Sequence, residues 1–233
     1  MEGAFRRLEQ GIDSPVWVQW RGSPVLRYKT QGIEQALIQK LARVISGLHA
    51  ADTLLAAGFV QEQGVIHRVL DEINEDVTFL AIARTNDSET HLHKRYLIAF
   101  FEDQLAENWN PKSIVKGPDA PSRKSIRAYV NRVFGKRIDP GNAIETVARA
   151  YGGYVHAASQ NIMELCGGDP PTFHLRGMLG TPRVREHRED AWNYLYRSLT
   201  SVAIVARAFA DKPLADQLTD TLNQLEIQMS IKT

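Results

Sequence analysis

Apolar residues recur at helical spacing along most of this chain after Gly32. The clearest run goes from Ile33 to Leu55, and Gly58 follows it as a stop signal. Similar patterns predict helices over residues 61–84, 87–109, 122–134, 140–167, 186–210 and 213–229. Because strand patterns are almost absent, we expect an all-α fold, a single-domain helical bundle of six to seven helices.

The first 31 residues lack this pattern. Two Ser-Pro turns enclose a short β-prone run from Val16 to Trp20, which predicts at most a small hairpin. We therefore expect two parts: residues 1–31 as an irregular segment packed on the body through Trp17 and Trp20, and residues 32–233 as the bundle domain. The Pro-rich stretch 110–122 is interpreted as a loop between helices, since neither half has enough helices for its own core.

Composition narrows the classes of function. Apolar residues make up 43% and charged residues 24%, as in ordinary globular proteins, and the net charge of +1 leaves nucleic-acid binding to a local patch. Cys166 is the one cysteine, so an intrachain disulfide is excluded. With no secretory h-region and no apolar run long enough to span a membrane, the sequence predicts a soluble, cytoplasmic protein without membrane contact.

The strongest local charge lies between residues 112 and 137, where eight cations accompany one acidic residue, Asp119. The cations are Lys112, Lys116, Arg123, Lys124, Arg127, Arg132, Lys136 and Arg137. One interpretation is a surface that binds the phosphate backbone of RNA or DNA. The alternative is a solvated helix face whose cations pair with acidic residues elsewhere in the chain.

The stretch "RAYGGYVHAASQNI" at residues 149–162 holds a candidate catalytic pair, Arg149 and His156. On one continuous helix, residues seven apart point within roughly 20° of each other. An imidazole that moves a proton and a guanidinium that stabilises a phosphorane are the minimum for metal-independent RNA cleavage, and Ser159 and Tyr151 could add hydrogen bonds to the phosphate. The alternative is structural: the glycines and alanines within residues 152–158 would let a neighbouring helix approach, and the glycine pair could kink the helix.

A weaker hypothesis concerns a metal. His67, Asp71 and Glu75 step by four residues, which puts one imidazole and two carboxylates on the same helical stripe. The alternative is a polar face with intrahelical ion pairs, such as Arg68 with Glu72. A metal site would need a matching His/Glu set on another helix, and the sequence shows no convincing one.

Three segments, "LLAAGFVQEQGVIHRVLDEINEDVTFLA", "HKRYLIAFFE" and "YGGYVHAASQNI", resemble a family of uncharacterised bacterial helical-bundle proteins similar to the HEPN superfamily. The resemblance covers roughly residues 33–210. Many HEPN proteins are dimeric, metal-independent ribonucleases of toxin–antitoxin and phage-defence systems, with an arginine and a histidine separated by four to six residues.

The resemblance implies a function and its partners. Arg149 and His156 would take the catalytic positions, and Arg68 with Glu72 would match the family's pair on the second helix. The chain departs from the family at Ala150, where HEPN ribonucleases often have a polar residue. The implied protein is a homodimeric ribonuclease or defence effector that needs no cofactor and acts on RNA, with an antitoxin or defence-system protein as partner. The alternative is a non-enzymatic helical binding or scaffold module.

Overall fold

Helices form most of the structure, a computed structural model that describes residues 1–102, 119–134 and 151–230. In chain order the described elements are α1 (Glu2–Glu9), β1 (Val16–Trp20), β2 (Ser23–Arg27), α2 (Ile33–Ala56), α3 (Val60–Thr85), α4 (His91–Phe101), α5 (Arg123–Phe134), α6 (helical over residues 151–155), α7 (Ser159–Met163), β3 (Cys166–Gly167), β4 (Thr172–Phe173), α8 (Pro182–Ala208) and α9 (Lys212–Ser230). The two sheets are antiparallel hairpins of two strands each. The predicted all-α bundle is confirmed, with slightly more helices than expected. None of the described helices combines the length and apolarity needed to cross a membrane.

The turn between α2 and α3 forms at the predicted stop, Gly58. Its φ of +81° is a left-handed conformation that glycine adopts without strain. The Phe59 N–H donates to the Leu54 carbonyl at 2.8 Å, which is the bond that closes a Schellman motif. A Cβ at Gly58 would lie 2.7 Å from the backbone nitrogen of Met178, so the same glycine lets the segment before α8 pack against this turn.

The core lies where α2, α3 and α8 pack together, and α9 covers the outer side of α8. Its centre consists of fully buried side chains from these helices, among them Leu37, Leu41, Leu70, Leu80, Phe79 and Val202. Burial of each such side chain contributes roughly 1.5–3 kcal/mol to folding. The middle helix, α3, also buries polar residues, namely Gln63, His67, Asp71, Asn74 and Asp76. Because an unpaired buried polar group is costly, their partners decide what this helix can do.

The N-terminal segment is more ordered than the predicted irregular stretch, and that prediction was wrong. Residues 2–9 form α1, which buries Phe5 and Leu8 against the bundle. Arg7 fixes the helix to the far end of the chain by donating two hydrogen bonds of 2.6 Å to the Asp211 carboxylate. An eight-residue helix carries too short an apolar pattern to be recognised without these contacts.

The predicted hairpin is present, but Trp17 does not anchor it to the body. Strands β1 and β2 pair from Val16 opposite Arg27 to Trp20 opposite Ser23. Arg21 and Gly22 form the two-residue turn with positive φ angles, as hairpins of this length require. The Trp17 side chain is 69% exposed, so the packing predicted for it is wrong.

Two helix boundaries also differ from prediction. Helix α4 starts at His91, because Thr90 is extended and its N–H donates to His93 Nδ1 at 3.1 Å, and it ends at Phe101, because Glu102 is extended. Helix α8 starts at Pro182, where the fixed φ of proline suits the first turn. The loop predicted before α8 contains strand β4, paired with β3.

Candidate functional site

The predicted pair on one continuous helix is not found, because α6 ends at residue 155. His156 and Ala157 form a turn, and Ala157 has a φ of +51°. The Ala158 N–H donates to the Gly153 carbonyl at 2.9 Å, so this end is a Schellman motif with alanine in the left-handed position. The prediction of one continuous helix over residues 140–167 is therefore wrong, because the chain turns at His156 and a separate helix, α7, begins at Ser159. Arg149 lies outside the described residues.

A close contact accompanies the break. Helix α7 starts at Ser159 and folds back, so that a Cβ on Gly153 would lie 2.0 Å from the Asn161 side-chain oxygen. The glycine therefore permits the close packing that the seam interpretation expected. His156 lies in the turn and Ser159 at the start of α7, and both residues are exposed.

Tyr151 points the other way. Its side chain is 8% exposed, and its hydroxyl donates to Asp190 Oδ2 at 2.6 Å. Burial raises the pKa of Tyr151 above its usual range, and the Asp190 carboxylate acts in the same direction. The Tyr151 hydroxyl is thus held by α8, whereas His156 and Ser159 are exposed.

The core side of Tyr151 belongs to a buried polar cluster between α3 and α8. The His67 ring stacks on the Tyr194 ring with centroids 3.7 Å apart, and the Tyr151 ring meets it edge-on at 5.7 Å. Tyr194 donates its hydroxyl hydrogen to Asp71 Oδ2 at 3.2 Å, and Arg197 Nη1 lies 2.5 Å from Asp71 Oδ1. We call His67, Asp71, Tyr151, Tyr194 and Arg197 the tyrosine–histidine cluster.

Burial sets the protonation states in this cluster. It lowers the pKa of the His67 imidazole to about 3, with the positive charges of His187 and Arg197 acting in the same direction. It raises the pKa of the Asp71 carboxyl, against the opposing effects of Arg197 and the Tyr194 hydroxyl. His67 is therefore neutral near pH 7. Perturbed groups of this kind are typical of functional sites, although buried ion pairs in structural cores perturb pKa values too.

A series of hydrogen bonds leads from buried Gln63 of α3 to Glu164, the residue that follows α7. The Gln63 side-chain oxygen lies 2.9 Å from His187 Nδ1, and His187 Nε2 lies 3.4 Å from the Tyr154 hydroxyl. Tyr154 donates to Glu164 Oε2 at 2.8 Å. A Cβ at Gly64 would lie 2.7 Å from the Tyr154 ring, so glycine is needed for this ring to reach its partners. These hydrogen bonds fix the segment that carries His156 and Ser159 to the bundle.

Each of the three α3 residues in the metal hypothesis contacts a side chain on another helix. His67 stacks on Tyr194, Asp71 pairs with Arg197, and Glu75 Oε1 accepts from Arg127 at 2.8 Å. Over residues 1–102, 119–134 and 151–230, no group of three or more His, Cys, Asp and Glu side chains could hold a metal ion. The intrahelical pair predicted beside it is present, with Arg68 Nη2 2.7 Å from Glu72 Oε1.

The basic run divides into two kinds of cation. Arg123 Nη1 lies 2.5 Å from Asp76 Oδ1, and Arg127 pairs with Glu75, so both fix α5 to α3. The pKa of Asp76 lies below its usual range: burial would raise it, but Arg123 and Lys40 outweigh burial. Lys124 and Arg132 are exposed, and no ion pair holds either of them within the described part of the chain. The other four predicted cations, Lys112, Lys116, Lys136 and Arg137, lie outside the described residues.

Two cavities flank the tyrosine–histidine cluster. His67 lines one of about 800 Å³ between α1, α2, α3 and α8. Tyr151, Asp190, Tyr194 and Arg197 line another of about 730 Å³ between α3, α5, α6 and α8. Both volumes are in the range of pockets that hold small molecules.

Sequence reasoning missed the α8 half of the site. His187, Asp190, Tyr194 and Arg197 follow one another at steps of three, four and three residues, so they share one face of the helix. That spacing is the signal that could have found them, since it continues the stripe that carries the buried residues Ser198, Ser201 and Val205. No family model matches the chain, and no curated protein or solved structure matches it.

Proposed function

We propose that this chain is a metal-independent endoribonuclease that acts as a homodimer, with His156 as the proton-transfer group. The observation that carries the proposal is the end of α6 at residue 155, after which His156 and Ser159 are both exposed. The HEPN resemblance supports the same residue, with Arg149 as the stabiliser of phosphorane charge.

The chemistry asks for two proton-transfer groups. The ribose 2′-oxygen attacks phosphorus as it loses its proton to a base, and the bond to the 5′-oxygen breaks as that oxygen gains a proton from an acid. The products are a 2′,3′-cyclic phosphate and a free 5′-hydroxyl. One His156 per chain supplies one of these groups, and a second copy supplies the other.

The surface beside His156 fits such a pairing. Val155, Ile162 and Met163 are 44%, 37% and 52% exposed, so apolar side chains precede and follow the histidine along the chain. Exposed apolar side chains in a group are typical of interaction sites. Ser159 contributes a hydroxyl that can bind a phosphate oxygen, whereas the Tyr151 hydroxyl is bound to Asp190 and positions the segment from below.

The test compares wild type, His156→Ala and Arg149→Ala on end-labelled RNA in EDTA. General acid–base catalysis contributes typically about 10²- to 10⁴-fold, so His156→Ala is expected to slow cleavage by roughly that factor. His91→Ala is the matched control, because His91 is an exposed histidine on another helix. Cleavage should also fall on dilution. Equal cleavage by wild type and His156→Ala contradicts the proposal.

A second function, a non-enzymatic RNA-binding module, is favoured by one specific observation. Arg123 and Arg127 are held by α3 carboxylates, which leaves Lys124 and Arg132 as the exposed cations of α5. If the module binds RNA through its phosphates, Lys124→Glu with Arg132→Glu should weaken binding and flatten its salt dependence. Fluorescence anisotropy measures both, and unchanged binding by the double variant rejects this surface.

A further inference from the structure

The cavity that His67 lines has an apolar interior and a charged mouth. Ile45, Leu48 and Leu55 of α2 line it together with Leu195 of α8. The Trp192 side chain, 44% exposed, stands at its edge. A space of about 800 Å³ with this lining is large enough for a compound of one or two aromatic rings.

Every charged side chain of the lining is exposed. Glu2 and His49 are in contact, with Glu2 Oε1 2.8 Å from His49 Nε2, and Asp52 and Arg188 are exposed as well. No charged side chain of the lining is therefore buried where it could neutralise an ionic group in the interior. An ion would lose its hydration there without compensation, so the interior selects an uncharged ligand.

Gln63 and His67 are the buried polar residues of the lining, and Gln63 already has a partner, because its side-chain oxygen lies 2.9 Å from His187 Nδ1. His67 is the one with an unpaired side-chain atom. Its side chain is 1% exposed, and its Nδ1 has no hydrogen-bond partner among the described residues. Buried polar atoms are normally paired, and an unpaired one costs about 1–3 kcal/mol. Tyr194 covers one face of the His67 ring and Tyr151 meets the ring edge-on, while the residue also borders the cavity, so a partner for the imidazole would come from the cavity.

We propose that this cavity binds a small uncharged aromatic compound whose single polar group hydrogen-bonds to the His67 imidazole. The ligand's ring lies among the apolar side chains of α2 and α8, and its edge contacts Trp192. This site is independent of the proposed RNA cleavage, because neither His156 nor Ser159 lines the cavity.

The experiment uses the full chain with phenol and toluene as probes, since the two differ by one hydroxyl. The readout is the indole N–H resonance of Trp192 in a two-dimensional NMR titration, with Trp17 and Trp20 as internal references away from the cavity. Phenol is expected to shift the Trp192 resonance saturably, and toluene to bind about fivefold more weakly, which corresponds to one hydrogen bond of about 1 kcal/mol.

Two variants make the test specific. His67→Phe keeps a ring beside Tyr194 but removes the hydrogen-bonding nitrogens, so the preference for phenol over toluene should disappear. Ala191→Phe fills the cavity and should abolish binding of both probes, whereas Ala128→Phe on the exposed face of α5 should leave it unchanged.

Absence of any Trp192 shift up to the solubility limit of phenol overturns the proposal. So does equal binding of phenol and toluene by wild type, or unchanged binding by Ala191→Phe. If His67→Phe fails to fold, the binding of phenol and toluene by wild type, Ala191→Phe and Ala128→Phe decides the question.

Discussion

Acidification should destabilise this protein through His67, at a pH where surface carboxylates are still ionised. In the folded state burial holds the imidazole neutral and lowers its pKa from 6.5 to about 3. In the unfolded state the same group binds a proton near pH 6.5. Between these two values the unfolded state binds more protons than the native state, so the free energy of unfolding falls as pH falls.

The magnitude follows from the two pKa values. At about pH 5.5 roughly ten unfolded imidazoles are protonated for each neutral one, while folded His67 stays neutral, which gives a loss of about 1.4 kcal/mol relative to about pH 7.5. His93 and His187 act in the same direction, because burial lowers the pKa of both. The contribution of His67 is therefore the difference between wild type and a variant without it.

Urea unfolding of wild type and His67→Phe at both pH values measures that difference. Wild type should lose about 1.4 kcal/mol more than His67→Phe on going from about pH 7.5 to about pH 5.5. His91→Phe removes an exposed imidazole and should keep the wild-type loss. If His67→Phe loses as much stability as wild type, His67 is not the buried neutral group described above.

Two further predictions concern packing and pairing. Arg123→Gln breaks the ion pair with buried Asp76 and should lower the free energy of unfolding in urea by roughly 3 kcal/mol. The control, Lys124→Gln on the exposed side of α5, should change it by less than about 0.5 kcal/mol. Equal effects would mean that the pair does not hold α5 on α3. Gly177→Ala puts a Cβ 2.4 Å from the Ala57 carbonyl oxygen. It should destabilise the protein more than Gly180→Ala, which has a similar positive φ but open space around the new Cβ and should cost about 1–2 kcal/mol. Thermal melts that rank the two variants in the opposite order contradict the close approach.

Helix positions could be predicted where a long apolar period ended in a familiar signal. Helix α2 begins one residue after Gly32 and stops before Gly58, because the pattern and the glycine agree. The break after α6 could not be predicted in this way, since Ala157 takes the left-handed position that glycine usually fills. What makes the break favourable is the packing of Asn161 against Gly153, a tertiary contact that no local pattern reports.

The candidate site shows the same division. The intrahelical pair of Arg68 and Glu72 could be predicted because it depends only on helical geometry. The partners of Asp71 and Glu75 could not, because Arg197 and Arg127 come from other helices. Sequence spacing thus predicts that the carboxylates lie on α3, but their arginine partners become visible only in the folded structure.

A hydrophobic core does not need the tyrosine–histidine cluster. Replacing a buried charged pair by apolar side chains of similar volume is often neutral or stabilising, so Asp71 with Arg197 adds little stability that leucines could not supply. The cluster instead places the uncharged His67 imidazole at one cavity. It places the Arg197 guanidinium, with Tyr151 and Tyr194, at the other. Where local rules for a stable core are broken, a functional site is the expected reason. Tyr151 connects this cluster to α6, the helix that ends directly before His156.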